Sequence, residues 1–472
     1  MARRRRRREI SYRRIVSGDR IHHRRRRRRG GAVPWFGVVT AVLVLLAVIM
    51  VCDGIGPSVK KKTESDSLLA SSEMMGSVVV SGTVGEGNKK GEAAGSDASG
   101  SAEQKAGEND TSGEQSADGT QDSTEAQDGA GDSQDSWNYR SEDRPKVKGI
   151  YVTGPMAGNA AFDDLLSLVD ETELNSMVID IKNDGGEITY KMNLETAQAM
   201  GACINYIPDM EGLMKRLKEH NVYTIARIVC FKDPYLAANY PELALKKPDG
   251  TAIVDGHGMA WVNPCKEEVW KYLVDVAKEA GKLGFDEVQF DYVRFPIGSD
   301  AEAADYGVDM TVFTKQQAIT GFLQYAKEAL HKEGIPVTAD VFGTIIGNET
   351  DVKQVGQDYR VLGETLDAIC PMVYPSHYSK GVFGLAVPDA QPYETVLAAM
   401  QDSAEELADI PAEGQAVVRP WLQAFTASWV DGYISYGGDQ IRAQIQAVYD
   451  SGYEEWILWN ASNRYSADGL QP

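Results

Sequence analysis

The sequence predicts a closed barrel of eight parallel strands wrapped by helices, a (β/α)8 fold, carried outside the cell by one membrane-spanning helix and a long tether. Three observations predict it. From residue 145 onward, short apolar runs alternate with amphipathic stretches, the pattern of a parallel sheet covered by helices. The alternation repeats eight times within the length of one domain, which favours closure over an open doubly wound sheet. No G-x-G-x-x-G follows the first run, where Gly154-Pro155-Met156-Ala157-Gly158 stands instead.

The first thirty residues carry fifteen arginines against Glu9 and Asp19. Alone, such a run would suit nucleic acid. Residues 32–51 change that reading, because they are twenty residues without a charge, led by Pro34, Trp35 and Phe36. As a helix they span roughly 30 Å, the thickness of a bilayer core. The arginines then act as a positive-inside signal that keeps residues 1–31 in the cytoplasm, beside anionic headgroups. Nucleic acid is not expected as a partner; the membrane is. An uncleaved anchor is expected, since no small-x-small site follows and the run exceeds a signal-peptide core. The bulky Ile49-Met50-Val51 before Cys52 disfavours lipoprotein processing.

Residues 53–136 contain no Phe, Tyr or Trp and are rich in Gly, Ser, Ala, Asp and Glu. With so little apolar surface to bury, residues 52–144 are expected to form a disordered acidic linker. The chain's net charge is −21 despite its basic tail. That acidic exterior suits neutral or cationic partners. Of the cysteines in the folded part, Cys203, Cys230, Cys265 and Cys370, none forms a C-x-x-C pair. Cys230 and Cys370 lie in apolar runs and are expected to be small buried hydrophobes, with no disulfide framework or zinc site legible.

Within 145–472, strands are expected at 147–152, 177–181, 222–229, 287–293, 337–341, 368–373, 416–423 and 456–459. Helices are expected at 162–171, 209–220, 267–283, 312–333, 354–362, 393–407 and 440–451, with a weak one after the last strand. Met210, Leu213 and Leu217, like Trp270, Val274 and Ala277, recur at helical spacing and are expected to face the core.

Barrel enzymes place their chemistry at the C-terminal ends of the strands. The fourth strand runs into Phe290-Asp291-Tyr292-Val293-Arg294-Phe295-Pro296, a carboxylate and a guanidinium where the apolar ladder stops. Taken alone, this motif fits a structural ion pair equally well. Its companions decide. The second strand ends on Asp180, Lys182 and Asp184, with Asp180 and Lys182 on one face; the third on Arg227, Lys232 and Asp233; the fifth on Asp340. The sixth contributes Met372, Tyr374, His377 and Tyr378, the seventh Arg419, Trp421 and Gln423, and the eighth Trp459 and Asn460. Each Asp on a buried strand costs several kcal/mol unless paired. Three of them converging with arginines and aromatics describe a polar mouth with aromatic walls. Ring faces stack on sugars and carboxylates bind hydroxyls, so a polysaccharide or oligosaccharide is the expected ligand.

On Lys148-Gly149-Ile150-Tyr151-Val152, Val178-Ile179-Asp180-Ile181-Lys182, the strand-four motif and Pro371-Met372-Val373-Tyr374-Pro375, the region from about 146 onward resembles a bacterial family of putative glycosyl hydrolases. That family is built on (β/α)8 barrels related to the α-amylase-like glycosidases. The resemblance implies that Asp291 is the nucleophile and that Asp340, on the neighbouring strand, is the general acid/base. Many relatives carry Glu in the second role, so Asp180 and Asp184 stand as alternatives. Tyr151, Asp180, Lys182, Arg227, Tyr292, Arg294, Tyr374, His377, Trp421 and Trp459 are expected to shape the substrate subsites. Arg294 or Arg227 beside Asp291 would keep it ionised. Carboxylates ~5–5.5 Å apart imply retention and ~6.5–9.5 Å inversion; retention is the expectation here.

No cofactor and no metal are expected. His220, His257, His331 and His377 are scattered without ligand spacing. His257, in the loop Asp255-Gly256-His257-Gly258, is read as a loop residue or a cleft-lining one. A Schiff-base enzyme would have Lys182 as its candidate. The reading is a membrane-anchored extracellular glycoside hydrolase with a cytoplasmic N-terminus. Its rival is a non-catalytic glycan-binding barrel that keeps the aromatics without the carboxylate geometry.

Overall fold

The computed structural model describes residues 139–141 and 144–472. The expected cytoplasmic tail, the membrane helix at 32–51 and nearly all of the linker lie outside the described residues. Among the described residues, no helix is long and apolar enough to cross a membrane.

The apolar runs form the strands of a closed parallel barrel. They are β1 (Lys148–Val152), β2 (Ser176–Lys182), β3 (Tyr223–Val229), β4 (Glu287–Asp291), β5 (Val337–Phe342) and β6 (Ala368–Val373). The seventh position is filled by two pieces, β7 (Val417–Val418) and β8 (Trp421–Gln423), and the eighth by β9 (Trp456–Trp459). Neighbours pair in parallel around the ring, β9 returns to β1, and the β5–β6 pairing completes the closure. Closure leaves no free edge, and the strands are buried along nearly their whole length, as a barrel covered on its outside requires.

Seven helices follow the strands on the outside: α1 (Phe162–Glu171), α2 (Met210–Glu219), α3 (Glu267–Lys282), α4 (Lys315–His331), α5 (Tyr359–Thr365), α6 (Pro392–Leu407) and α7 (Gly438–Asp450). Each sets an apolar stripe on the strands. On α2 it is Met210, Leu213, Met214 and Leu217, and Asp209 caps the helix through the Gly212 amide. On α3, Val274 and Ala277 are buried as expected, while Trp270 is only partly covered. Cys230 and Cys370 are buried free thiols.

Three expected elements differ. The helix at 354–362 is two helices, Glu349–Val355 and α5, because Gly356 sits between them at φ +82°. A Cβ there would meet the Lys315 carbonyl at 2.9 Å. The strand at 416–423 is interrupted at Arg419-Pro420. The β6 register is the same on both sides of the gap, which sets Pro371 level with Pro420, so neither can donate a rung. After β9 there is only a 3-10 turn, Ala467–Gly469, in place of a weak helix.

The barrel interior is layered. A small apolar cluster including Val178, Ile225, Cys370 and Ile457 fills its middle. Below it, at the N-terminal ends of the strands, Arg419 is fully buried in an ionic plug. It donates to Glu287 (2.6 Å), to Glu455 (2.9 Å) and to the Tyr139 hydroxyl (2.5 Å). Tyr139 and Tyr223 also donate to Glu287. Burial alone would raise the pKa of Glu455, but Arg419 and Arg144 outweigh it and hold the carboxylate below its ordinary value. Arg419 therefore belongs to the bottom of the barrel, not to the C-terminal mouth where sequence counting put it.

Removing a buried cation leaves its partners charged and unpaired, which costs about 3–5 kcal/mol. Arg419→Leu should lower the urea midpoint accordingly without changing the slope. Lys332→Ala, which opens only an exposed pair with Glu328, should leave the midpoint in place.

Candidate active site

The mouth of the barrel is built around one guanidinium. Arg227 on β3 is about 1% exposed. It donates to Asp291 Oδ2 through Nε (2.9 Å) and Nη2 (2.6 Å), to Asp180 Oδ1 through Nη1 (2.6 Å) and to Asp184 Oδ1 through Nη2 (2.9 Å). Burial works against its charge, but Asp184, Asp291 and Asp180 outweigh that and hold its pKa above the ordinary value. Its guanidinium carbon lies 5.5 Å from the ring centroids of both Tyr151 and Trp459, which stack on each other 4.0 Å apart.

Asp180 accepts a 2.6 Å hydrogen bond from the Tyr151 hydroxyl as well. Burial lifts its pKa to about 6, against the pull of Arg227. Asp291 closes β4, and its Oδ1 accepts from the Tyr292 amide at 2.6 Å. That turn places Tyr292 at φ +49°, an uncommon conformation for a bulky residue. It ends the strand two residues earlier than expected and turns the Tyr292 ring into the mouth.

Asp340 on β5 follows the register pair Phe290↔Ala339, so it stands level with Asp291 on the adjacent strand. Its surroundings are different. Oδ1 accepts from Trp421 Nε1 at 2.6 Å, and Oδ2 has no hydrogen-bond partner among the described residues. Burial, and then the charge of Asp291, push its pKa well above the usual carboxylate range. Its protonated form is therefore favoured more than that of an ordinary carboxyl group.

Both carboxyl groups line one cleft that opens to solvent at the mouth. Arg227, Tyr292, Arg294, Tyr374, His377, Trp421 and Trp459 line it too, so most of the expected subsite residues do converge. Burial holds His377 neutral, with its pKa lowered to about 4. The guanidinium of Arg294 lies 4.9 Å from the Trp261 ring and 4.7 Å from that of Phe342. It is Arg227, reaching over from β3, that forms the two-bond contact with Asp291.

Three expected contacts do not line the cleft. Tyr151 and Asp180 lie beneath it as supports for Arg227. Lys182 is fully buried, with Nζ 2.7 Å from the Val229 carbonyl and 3.0 Å from Asp233. The β2–β3 register shifts between Asp180 and Lys182, so two-residue counting does not keep them on one face. His257 lies exposed in a turn and is absent from the lining.

Met372, named at the end of the sixth strand, lines the cleft as well, and so do Phe342, Gly343, Thr344 and Gln357, which were not singled out in the sequence. Gln357 ties the site together: it donates to the Val293 and Asp340 carbonyls and accepts from the Phe342 amide. Its place in a segment that reads as helix concealed it. Phe342 is the last residue of β5, Gly343 and Thr344 follow it, and only Thr344 carries a polar signal.

A (β/α)8 barrel whose mouth gathers carboxylates, one shared arginine and aromatic walls is the architecture of a carbohydrate-active domain. The family described as "putative glycosyl hydrolase domain" matches residues 149–465, and the chain belongs to it. At 36% identity it is similar to a hypothetical protein from Ruminiclostridium thermocellum, over 41% of this chain and 97% of that one, with a TM-score of 0.38. At 11% identity it is similar to the glycoside hydrolase domain of PgaB (BpsB) from Bordetella bronchiseptica, over 67% and 94% of the two chains, with a TM-score of 0.48. The Bacillus megaterium spore cortex-lytic enzyme SleL matches at 12% identity over 69% and 72%, with a TM-score of 0.43. No curated protein matches the chain.

The arginine makes the site's pH behaviour predictable. In Arg227→Leu, Asp180 loses the cation that offsets its burial, and its folded-state pKa rises further. A raised pKa contributes stability below the unfolded value of ~3.9 that is lost as pH climbs through the folded one. Chemical denaturation should show a deficit of about 3–5 kcal/mol at pH 7 that shrinks toward pH 4.

Proposed function

We propose that the domain hydrolyses glycosidic bonds in a cell-surface or environmental polysaccharide, with Asp291 as nucleophile and Asp340 as acid/base, and with retention of configuration. The observation that carries this reading is the contrast between two carboxyl groups level on adjacent strands. Asp291 is charge-balanced by two Arg227 N–H bonds, while Asp340 is buried with one oxygen unpartnered. Paired carboxyls whose environments drive their proton affinities apart are what an acid and a nucleophile need.

Neighbouring strands lie about 4.8 Å apart. Side chains leaving them at one level suit the ~5–5.5 Å separation of a retaining pair better than the wider inverting one. In the first step, Asp291 bonds to the anomeric carbon as the glycosidic bond breaks, and the Asp340 proton passes to the leaving oxygen. In the second, water donates a proton to Asp340 and attacks the same carbon, and Asp291 is released. Tyr374, Trp421 and Trp459 offer ring faces to the sugars, and Asp180 and Tyr151 position Arg227. Residues 1–31 would lie in the cytoplasm, 32–51 in the membrane and 52–144 as a tether, with the barrel outside.

Reducing-sugar release by the full-length protein from cell-wall and capsular glycans tests the reaction. Asp291→Asn should lose on the order of 10³-fold or more in kcat. Asp340→Ala, losing roughly 10²–10⁴-fold, should be rescued by azide to a glycosyl azide of unchanged anomeric configuration. The opposite anomer would exclude retention, and binding without turnover in every glycan would leave the non-catalytic barrel. Asp340→Asn keeps an acceptor for Trp421. Since the raised pKa of Asp340 costs stability as pH rises, that variant should melt above wild type at pH 8, and the gap should close below pH ~4.

A further inference from the structure

Single apolar residues exposed on a surface are ordinary. Trp429, 49% exposed, is not single. Its ring stacks on Phe425 at 6.1 Å and 18°, and Phe425 meets Tyr374 edge-on at 6.0 Å. Tyr374 lines the cleft with Trp421 and Trp459. An unbroken aromatic row thus leads from the carboxyl pair out to solvent.

The loop that carries the row is tied at its base. Gln423 Nε2 donates to the Phe425 carbonyl (3.1 Å) and to buried Asp389 (2.9 Å). The Tyr436 amide donates to Thr426 Oγ1 (3.0 Å), and the Tyr436 hydroxyl donates to the Asp389 carbonyl (2.9 Å). A flat aromatic pair on a loop so fixed loses little further entropy when something stacks on it.

We propose that Phe425 and Trp429 form a distal subsite for a neutral, chain-like glycan, so that the cleft engages several consecutive sugars of a polymer. The inference rests on the glycan-cleaving reading of the cleft and extends it to the class of substrate. Stacking on the apolar faces of pyranose rings needs no charge. Among the described residues, the ion pair on this loop joins Asp431 to Lys380 on the surface, and the chain's net charge of −21 disfavours polyanions.

Native gels containing galactomannan, arabinoxylan or glycol chitin test it, with full-length Asp291→Asn protein so that no polymer is consumed. At least one neutral polymer should retard the protein. Trp429→Ala in that background should weaken the Kd about tenfold, and Trp429→Tyr should restore most of it. Tyr325→Ala, an exposed aromatic on α4, should change nothing. Absence of any Trp429-dependent retardation, or retardation by polygalacturonate alone, overturns the subsite. Sugar release is scored separately with wild type. Release without Trp429-dependent binding sinks the subsite and leaves the hydrolase. Trp429-dependent binding without release leaves the subsite and sinks hydrolysis.

Discussion

A guanidinium inside a protein is tolerated only where carboxylates replace the water it has lost, and Arg227 is met by three: Asp291, Asp180 and Asp184. Much of the mouth follows from that grouping. The side chain leaves β3 level with Asp180 and Gln289 and reaches upward to the end of β4. It fixes Asp291 through two donors, while Tyr151 and Trp459 stack close to its guanidinium. Asp340 makes no bond to the guanidinium, and burial together with the charge of Asp291 raises its pKa well above the usual carboxylate range. Asp180, bonded to Arg227 and to Tyr151, is pushed up only to about 6.

Position depends on the backbone as much as on charge. Tyr292 takes a left-handed conformation that halts β4 at Asp291. Gln357 then bridges the Val293 and Asp340 carbonyls with one amide nitrogen and receives the Phe342 amide on its oxygen. The β4 and β5 ends are thereby locked in register above the last ladder rung. A pair of carboxyl groups needs placement to within about 0.5 Å to act together, and backbone hydrogen bonds from a buried side chain are stiffer than a loop alone.

Much of this was legible in the sequence, and the misreadings share a cause. Eight apolar runs and the stripes of the helices give the barrel because burial on both faces of a strand leaves a plain compositional mark. Asp291 and Asp340 could be singled out because a carboxylate in such a run is conspicuous. What counting along one strand cannot supply is reach between strands. Arg294 is three residues from Asp291 in sequence, yet the guanidinium that clasps it with two bonds comes from Arg227 on the next strand. The register shift after Asp180 moved Lys182 into an ion pair with Asp233. Arg419 counted as a strand end only because the gap at Pro420 was invisible. Gln357 was hidden by a helical pattern that Gly356 breaks.

The two ionic ends of the barrel share one dry interior and are not electrically independent. Cys370, between them, feels Arg419, Asp340 and Glu287 together. Among the influences on Asp340, burial and Asp291 hold its proton on, and Trp421, Arg227 and then Arg419 pull the other way. Glu287 and Glu455 pair with Arg419 and so oppose its pull on the Asp340 proton. The thin apolar layer of Val178, Ile225 and Ile457 keeps water from screening what remains. A residue whose first task is to close the bottom of the barrel therefore also sets, at second order, how firmly the mouth holds its proton.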